Sequence, residues 1–280
     1  QQGGGYKVLS IVDLKRELGK NIYIYPVHIE SIKSNSIDLH VSKFAWSLST
    51  KKSIYNDGYV DIPPNDTALV YTEESIYVSN HIGGAYNSKV TLVSQGAGHI
   101  GTCLDAQYIG CSLIAIHNHS KSILKLKVGS EFVTLHLWYL NTPDYPDAPS
   151  HDNEPGHPRM LNGYEDVNSY IEWRDQNTWT TRKKDLYLKM MDSSEYQQCK
   201  KEFQKELDEF NRNRIKKRAK KYVIIFVILS VVCLLISIPA YFHNLGAFSI
   251  FMQNIGQWIV FPIAVSFFTT FIIVDLKNKN

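Results

Sequence analysis

Residues 104–118, LDAQYIGCSLIAIHN, carry the reading that decides the fold class. Within them Leu113-Ile114-Ala115-Ile116 is apolar and rich in β-branched side chains, and Asn118-His119-Ser120 follows as a turn. That is the pattern of a short strand closed by residues that hydrogen-bond their own backbone. Outward from this stretch the pattern repeats in 21–26 (NIYIYP), 68–72 (ALVYT) and 132–137 (FVTLHL), punctuated by Asn56-Asp57-Gly58 and Pro63-Pro64-Asn65-Asp66. Short strands with regular turn signals from Val8 to about Leu140 predict a mainly β domain, a barrel or jelly roll. One helix is predicted there, from Ser10 to Leu18, with Ser10 as cap, Leu14 and Leu18 on one face, and Gly19 as the stop.

The 280 residues carry a net charge of +3, too little to draw nucleic acid by bulk electrostatics, so no nucleic-acid partner is expected. Cys103, Cys111, Cys199 and Cys233 contain no C-x-x-C pair, which fits a reducing compartment and no zinc centre. The opening Gln1-Gln2-Gly3-Gly4-Gly5 is polar and does not read as a signal peptide. Apolar residues crowd instead toward the C-terminus. Residues 222–242 and 255–274 are uncharged, and at about 1.5 Å per residue each is long enough for a hydrocarbon core of about 30 Å. Basic residues from Arg212 to Lys221 precede the first stretch, Lys277 and Lys279 follow the second, and the loop between has neither Lys nor Arg. The expectation is a membrane hairpin in the cell membrane, with the β domain and both termini cytoplasmic.

Residues 141–182 form a connector that opens Pro-rich and polar. His151, Asp152 and His157 lie in it, at no recognised metal-ligand spacing. From Lys183 the pattern becomes helical, with Tyr196, Cys199, Phe203, Leu207 and Phe210 at steps of three and four. The predicted organisation is a β domain over 1–140, the connector over 141–182, an amphipathic and basic juxtamembrane helix over 183–221, and the membrane hairpin over 222–280.

Four blocks of the β domain resemble the dCTP deaminase/dUTPase family. Residues 9–26 and 34–41 resemble its opening helix, its strand ending in Pro and its N-S-x-D-L segment, on Asn35, Ser36, Asp38 and Leu39. Residues 62–78, IPPNDTALVYTEESIYV, resemble its hairpin, with Glu74 at the acidic position. Residues 104–118 resemble the D-x-x-aromatic-x-G…N motif, on Asp105, Tyr108, Gly110 and Asn118. Residues 123–140 resemble the closing strands, with Gly129 at the family's glycine.

The resemblance implies a homotrimer with pyrimidine deoxynucleotide sites between subunits, and a magnesium ion, with Asp38 as its candidate ligand. It places Ser88 and Lys89 at the phosphates, Lys89 as an exposed cation, and Asp105, Tyr108 and Gly110 at the nucleotide. It makes Asp105 the water-activating base of a dUTPase-like reaction. One departure matters. The deaminase's catalytic Glu belongs ten residues after the motif's Asp and three before its Asn, and Ala115 stands there. An Ala cannot shuttle protons between water and an amine. Three readings follow: a nucleotide-binding sensor or effector with impaired deaminase chemistry, an active deaminase or dUTPase-like hydrolase, and a β scaffold without a ligand.

Overall fold

The computed structural model describes residues 7–99, 101–145 and 155–242, with two further helical positions at 246 and 266. Among the described residues twelve strands run in chain order: β1 (Lys7–Val8), β2 (Ile22–Tyr25), β3 (Ile37–Ser47), β4 (Tyr55–Asn56), β5 (Tyr59–Ile62), β6 (Thr67–Val78), β7 (Ile82–Ser88), β8 (Ala97–His99), β9 (Cys103–Leu104), β10 (Ile109–Asn118), β11 (Leu124–Lys127) and β12 (Glu131–Tyr139). Nine of them make one sheet in the order β8-β10-β6-β3-β12-β7-β9, with β1 on β12 and β2 on β6, while β11-β5-β4 form a small second sheet. All of these pairings are antiparallel. The path of the large sheet is open, so the architecture is a mainly β half-barrel.

Strand β3 makes the curl. Ile37 to His40 pair with β12, whereas Val41 to Ser47 pair with β6. The register shifts between Val41 and Ala45, and the Ser42 hydroxyl accepts from the Phe44 N–H at 3.1 Å inside that bulge. A bulge bends a strand and lets it serve two sheets. Alternation then fills the concave side: Leu39, Val41, Val70, Ile76, Ile114, Ile116, Val133, Leu135 and Leu137 are all buried in one cluster. Helix α1 (Ile11–Glu17) closes one end. Ser10 and Asp13 form a capping box, and Gly19 turns the chain at φ +81°.

The chain divides into two compact units, Gln1–Gln204 and Lys205–Asn280. The β unit therefore extends beyond the expected boundary at 140. From Pro155 the chain carries helices α3 (Val167–Gln176) and α4 (Lys183–Asp192), here numbered with α2 (Val90–Val93) before them. Tyr170 stacks on Tyr71 with centroids 4.0 Å apart, and Trp46 donates its indole N–H to the Glu165 carbonyl at 2.8 Å. Trp179 and Leu186 bury against Tyr77. The outer face of the sheet is thus a second, aromatic core, which the polar composition of the connector concealed.

The expected single helix from Lys183 is interrupted. Ser193 is extended at ψ 136°, and its hydroxyl accepts from the Tyr196 N–H at 3.2 Å, capping α5 (Ser194–Phe242). Tyr196, Cys199 and Phe203 are buried in the first unit. In the second, Phe210 and the basic residues of 212–221 are exposed. No helix among the described residues is long and apolar enough to cross a membrane. The first expected span, 222–242, coincides with the end of α5, where most side chains lie outside the description. The second, 255–274, lies outside the described residues apart from Ser266.

Candidate functional site

The D-x-x-Y-x-G stretch is the turn between β9 and β10. Asp105 is exposed, and its carbonyl accepts from the Tyr108 N–H at 3.2 Å across Gln107, which is left-handed at φ +64°. Tyr108 is held at both ends. Its carbonyl accepts from the Val78 N–H at 3.2 Å, and its hydroxyl donates to the Cys111 carbonyl at 2.9 Å. Burial pushes that hydroxyl's pKa well above the ordinary tyrosine value, so it stays a neutral donor. Gly110 sits at φ +138°, and a Cβ there would lie 2.6 Å from the Gly156 nitrogen. The chain's own Pro155-Gly156 covers this turn, pinned by the Tyr71 hydroxyl donating to the Gly156 carbonyl at 2.7 Å. The His157 ring lies 5.8 Å from that of Tyr108. Glycine is required here for close approach of backbone to backbone.

Ser88 ends β7 opposite Val133 of β12, half-buried, with Lys89 directly after it. Lys89 is not the exposed cation that the sequence implies. Its ammonium donates to Asp38 Oδ2 at 2.6 Å and to Glu131 Oε2 at 2.7 Å, with the side chain 16% exposed. Burial alone would lower its pKa, but these two carboxylates raise it, so the charge is fixed. The other Asp38 oxygen accepts from the Thr134 hydroxyl at 2.6 Å. Asp38 is buried with both oxygens engaged and its charge met by Lys89. It does not fit a magnesium ligand, since Mg²⁺ takes near-octahedral oxygens and keeps several waters.

Ala115 lies on the half-buried outward face of β10 between Leu113 and His117, opposite Leu69 of β6. Asn118 is fully buried and acts as a structural clamp. Its amide donates to the carbonyls of Ile62, Pro63 and Ser122, and its oxygen accepts from the Ser120 N–H at 2.9 Å.

A second polar cluster, of which the sequence reading singled out Glu74 alone, lies where the loop after β2 meets β3 and β6. His40 Nδ1 makes a very short hydrogen bond to Glu74 Oε1, and Glu74 Oε2 accepts from the His40 backbone N–H at 3.0 Å. The His28 ring lies 4.1 Å from that of His40, and its Nε2 is 3.8 Å from Glu74 Oε1 and 3.9 Å from Glu73 Oε2. Burial works against a charged His40, yet Glu74, with Glu73 and Glu131 behind it, keeps its pKa above the ordinary histidine value. Ser31 links this cluster to Lys89, touching His40 Nε2 at 3.3 Å and donating to Glu131 Oε1 at 2.9 Å. Burial and then repulsion from Glu74 raise the pKa of Glu73. A separate open cleft of about 470 Å³, lined by Tyr25, Trp179 and residues of α4, contains none of the expected site residues.

No family model matches the chain. Three curated relatives are dCTP deaminases. That of Pyrococcus horikoshii is 26% identical over 145 residues, covering 52% of this chain and 92% of its own length. That of Thermococcus kodakarensis is 28% identical over 127 residues, covering 45% and 82%. That of Pyrobaculum calidifontis is 26% identical over 147 residues, covering 46% and 83%. Among solved structures, the dCTP deaminase of Agrobacterium tumefaciens superposes on 48% of this chain with a TM-score of 0.41 and 11% identity. The match spans about half of that protein's length (49%). A dUTPase of phage phi11, described with a structural Mg(II) ion, superposes on 48% with a TM-score of 0.35 and 12% identity. The sequence similarity to these relatives runs over most of their length, and the β unit is dCTP deaminase-like.

Proposed function

We propose that this protein is a membrane-anchored sensor or effector that binds a pyrimidine deoxynucleotide at the Asp105–Tyr108–Gly110 turn and does not deaminate it. The observation that carries the reading is Ala115 at the position of the proton-shuttling Glu, on the strand that follows the exposed Asp105, while Gly110 lies under the chain's own Gly156. The relatives named dCTP deaminases support the choice of ligand. Deamination needs a group that takes a proton from water and returns it to the leaving amine, a contribution of about 10²–10⁴-fold. A methyl group supplies none of it.

The charges support a site shared between subunits. Lys89 is committed to Asp38 and Glu131, so the countercharge for a phosphate comes from elsewhere. A neighbouring copy in a homotrimer would bring it, as would magnesium carried on the nucleotide's own phosphate oxygens. The exposed Asp105 supports a dUTPase-like hydrolysis as the second reading, with Asp105 activating water. The basic run 212–221 and the uncharged stretches after it support anchoring in the cell membrane with both termini cytoplasmic.

Turnover assays on the full chain in detergent test this. With dCTP and dUTP, neither ammonia nor diphosphate should be released by the wild type. Ammonia release at an ordinary enzyme rate would overturn the assignment of Ala115. Diphosphate release lost in Asp105→Asn would replace the sensor with a hydrolase.

A further inference from the structure

We propose that His28, His40 and Glu74 form a binding site for a borderline divalent transition metal, zinc foremost, that ties the loop after β2 to β3 and β6. The three donor atoms lie within 4.8 Å of one another. Two imidazole nitrogens and a carboxylate oxygen are the donor set of zinc sites that keep a fourth position for water, and are too nitrogen-rich for magnesium or calcium.

Hydrogen-bond direction settles which nitrogens are available. Glu131 can only accept, so the Ser31 hydroxyl proton points to it. Ser31 therefore accepts from His40, which must carry its proton on Nε2. That leaves His40 Nδ1 facing Glu74 Oε1, and a carboxylate opposite a ring nitrogen requires a cation between them, a proton or a metal. An imidazole whose far N–H is held by a polar partner is the usual outer-shell arrangement of a metal-bound histidine. His28 is the second independent sign. Its Nε2 is buried without a hydrogen-bond partner among the described residues, and it is aimed at Glu74. A buried ring nitrogen left unmatched is costly, and a metal would satisfy it.

A metal would open the very short His40 Nδ1–Glu74 Oε1 contact and draw His28 inward. Bonds of about 2.0–2.1 Å place tetrahedral ligands about 3.4 Å apart, against 3.8 Å from His28 Nε2 to Glu74 Oε1. A cavity of about 10 Å³, lined by His28, Asp38, Glu74 and aliphatic neighbours, adjoins the cluster. That is about the space of one water. Glu74 is already aimed by the His40 backbone N–H.

The test uses the full chain in detergent, stripped with a chelator and titrated with zinc chloride alone against a chromophoric competitor. One zinc per chain should bind, at least about 10-fold more tightly than to His28→Gln or His28→Ala. Both variants keep the His40–Glu74 pair and should retain the wild-type circular dichroism. Cobalt(II) should give visible absorption bands in the wild type that weaken in His28→Gln. No binding, equal binding by the folded His28 variants, or equal competition by magnesium would overturn the site in favour of a proton shared by His40 and Glu74.

Discussion

Lys89 and Asp38, 51 residues apart in sequence, meet at 2.6 Å between the end of β7 and the start of β3. The pair is largely withdrawn from solvent, and Glu131 and Lys33 extend it into a four-charge chain. Lys89→Ala would leave the Asp38 carboxylate buried without its cation. Breaking one partner of a buried pair costs about 3–5 kcal/mol. Urea unfolding should show a loss of that order, and a loss under 1 kcal/mol would mean the contact is solvated.

The same chain sets an acid limit. Burial raises the pKa of Glu131, but Lys89, Ser31 and Lys33 outweigh it and hold the carboxyl at about 2, against an ordinary 4.5. A group with a depressed folded pKa contributes its full stability above the unfolded value and loses it as pH falls toward the folded one. The window is therefore from about pH 4.5 down to about pH 2, with a contribution on the order of 3 kcal/mol. Unfolding free energies measured across it should fall less steeply in Glu131→Gln than in the wild type. Parallel curves would contradict the assignment.

These partners mark where the sequence stops being informative. The strands, the helix capped by Ser10 and its stop at Gly19 were legible because period, capping and turn chemistry are local. The three elements that bring His28, His40 and Glu74 together were not, because only the bent pairing of β3 with β6 puts them side by side. Lys89 read as exposed for the same reason: its two carboxylates come from strands 51 and 42 residues away. The 155–182 part of the connector read as a polar linker because its Pro, Asp and Asn outweigh a few well-spaced aromatics.

Those aromatics give a prediction. Tyr170 is buried against Tyr71, Phe44 and Trp46. Tyr170→Ala should cost about 3–5 kcal/mol, as for other large aromatic truncations. If unfolding of the β unit is unchanged, the segment is not part of its core.

Gly110 and Gly58 make a matched pair. Both have positive φ, +138° and +80°, but a Cβ at Gly58 meets nothing within 4 Å, while at Gly110 it meets the Gly156 backbone. Gly110→Ala should exceed Gly58→Ala by about 1–3 kcal/mol, the usual cost of overpacking. Equal effects in thermal unfolding would show that Pro155-Gly156 does not rest on the turn.

The central claim is that the β unit still holds a pyrimidine deoxynucleotide, and calorimetric titration of dCTP into the full chain measures it directly. The account predicts saturable binding with a stoichiometry of one nucleotide per chain, weakened by Asp105→Asn. Absence of heat and of saturation at millimolar dCTP and dUTP would contradict it and leave a β scaffold without this ligand.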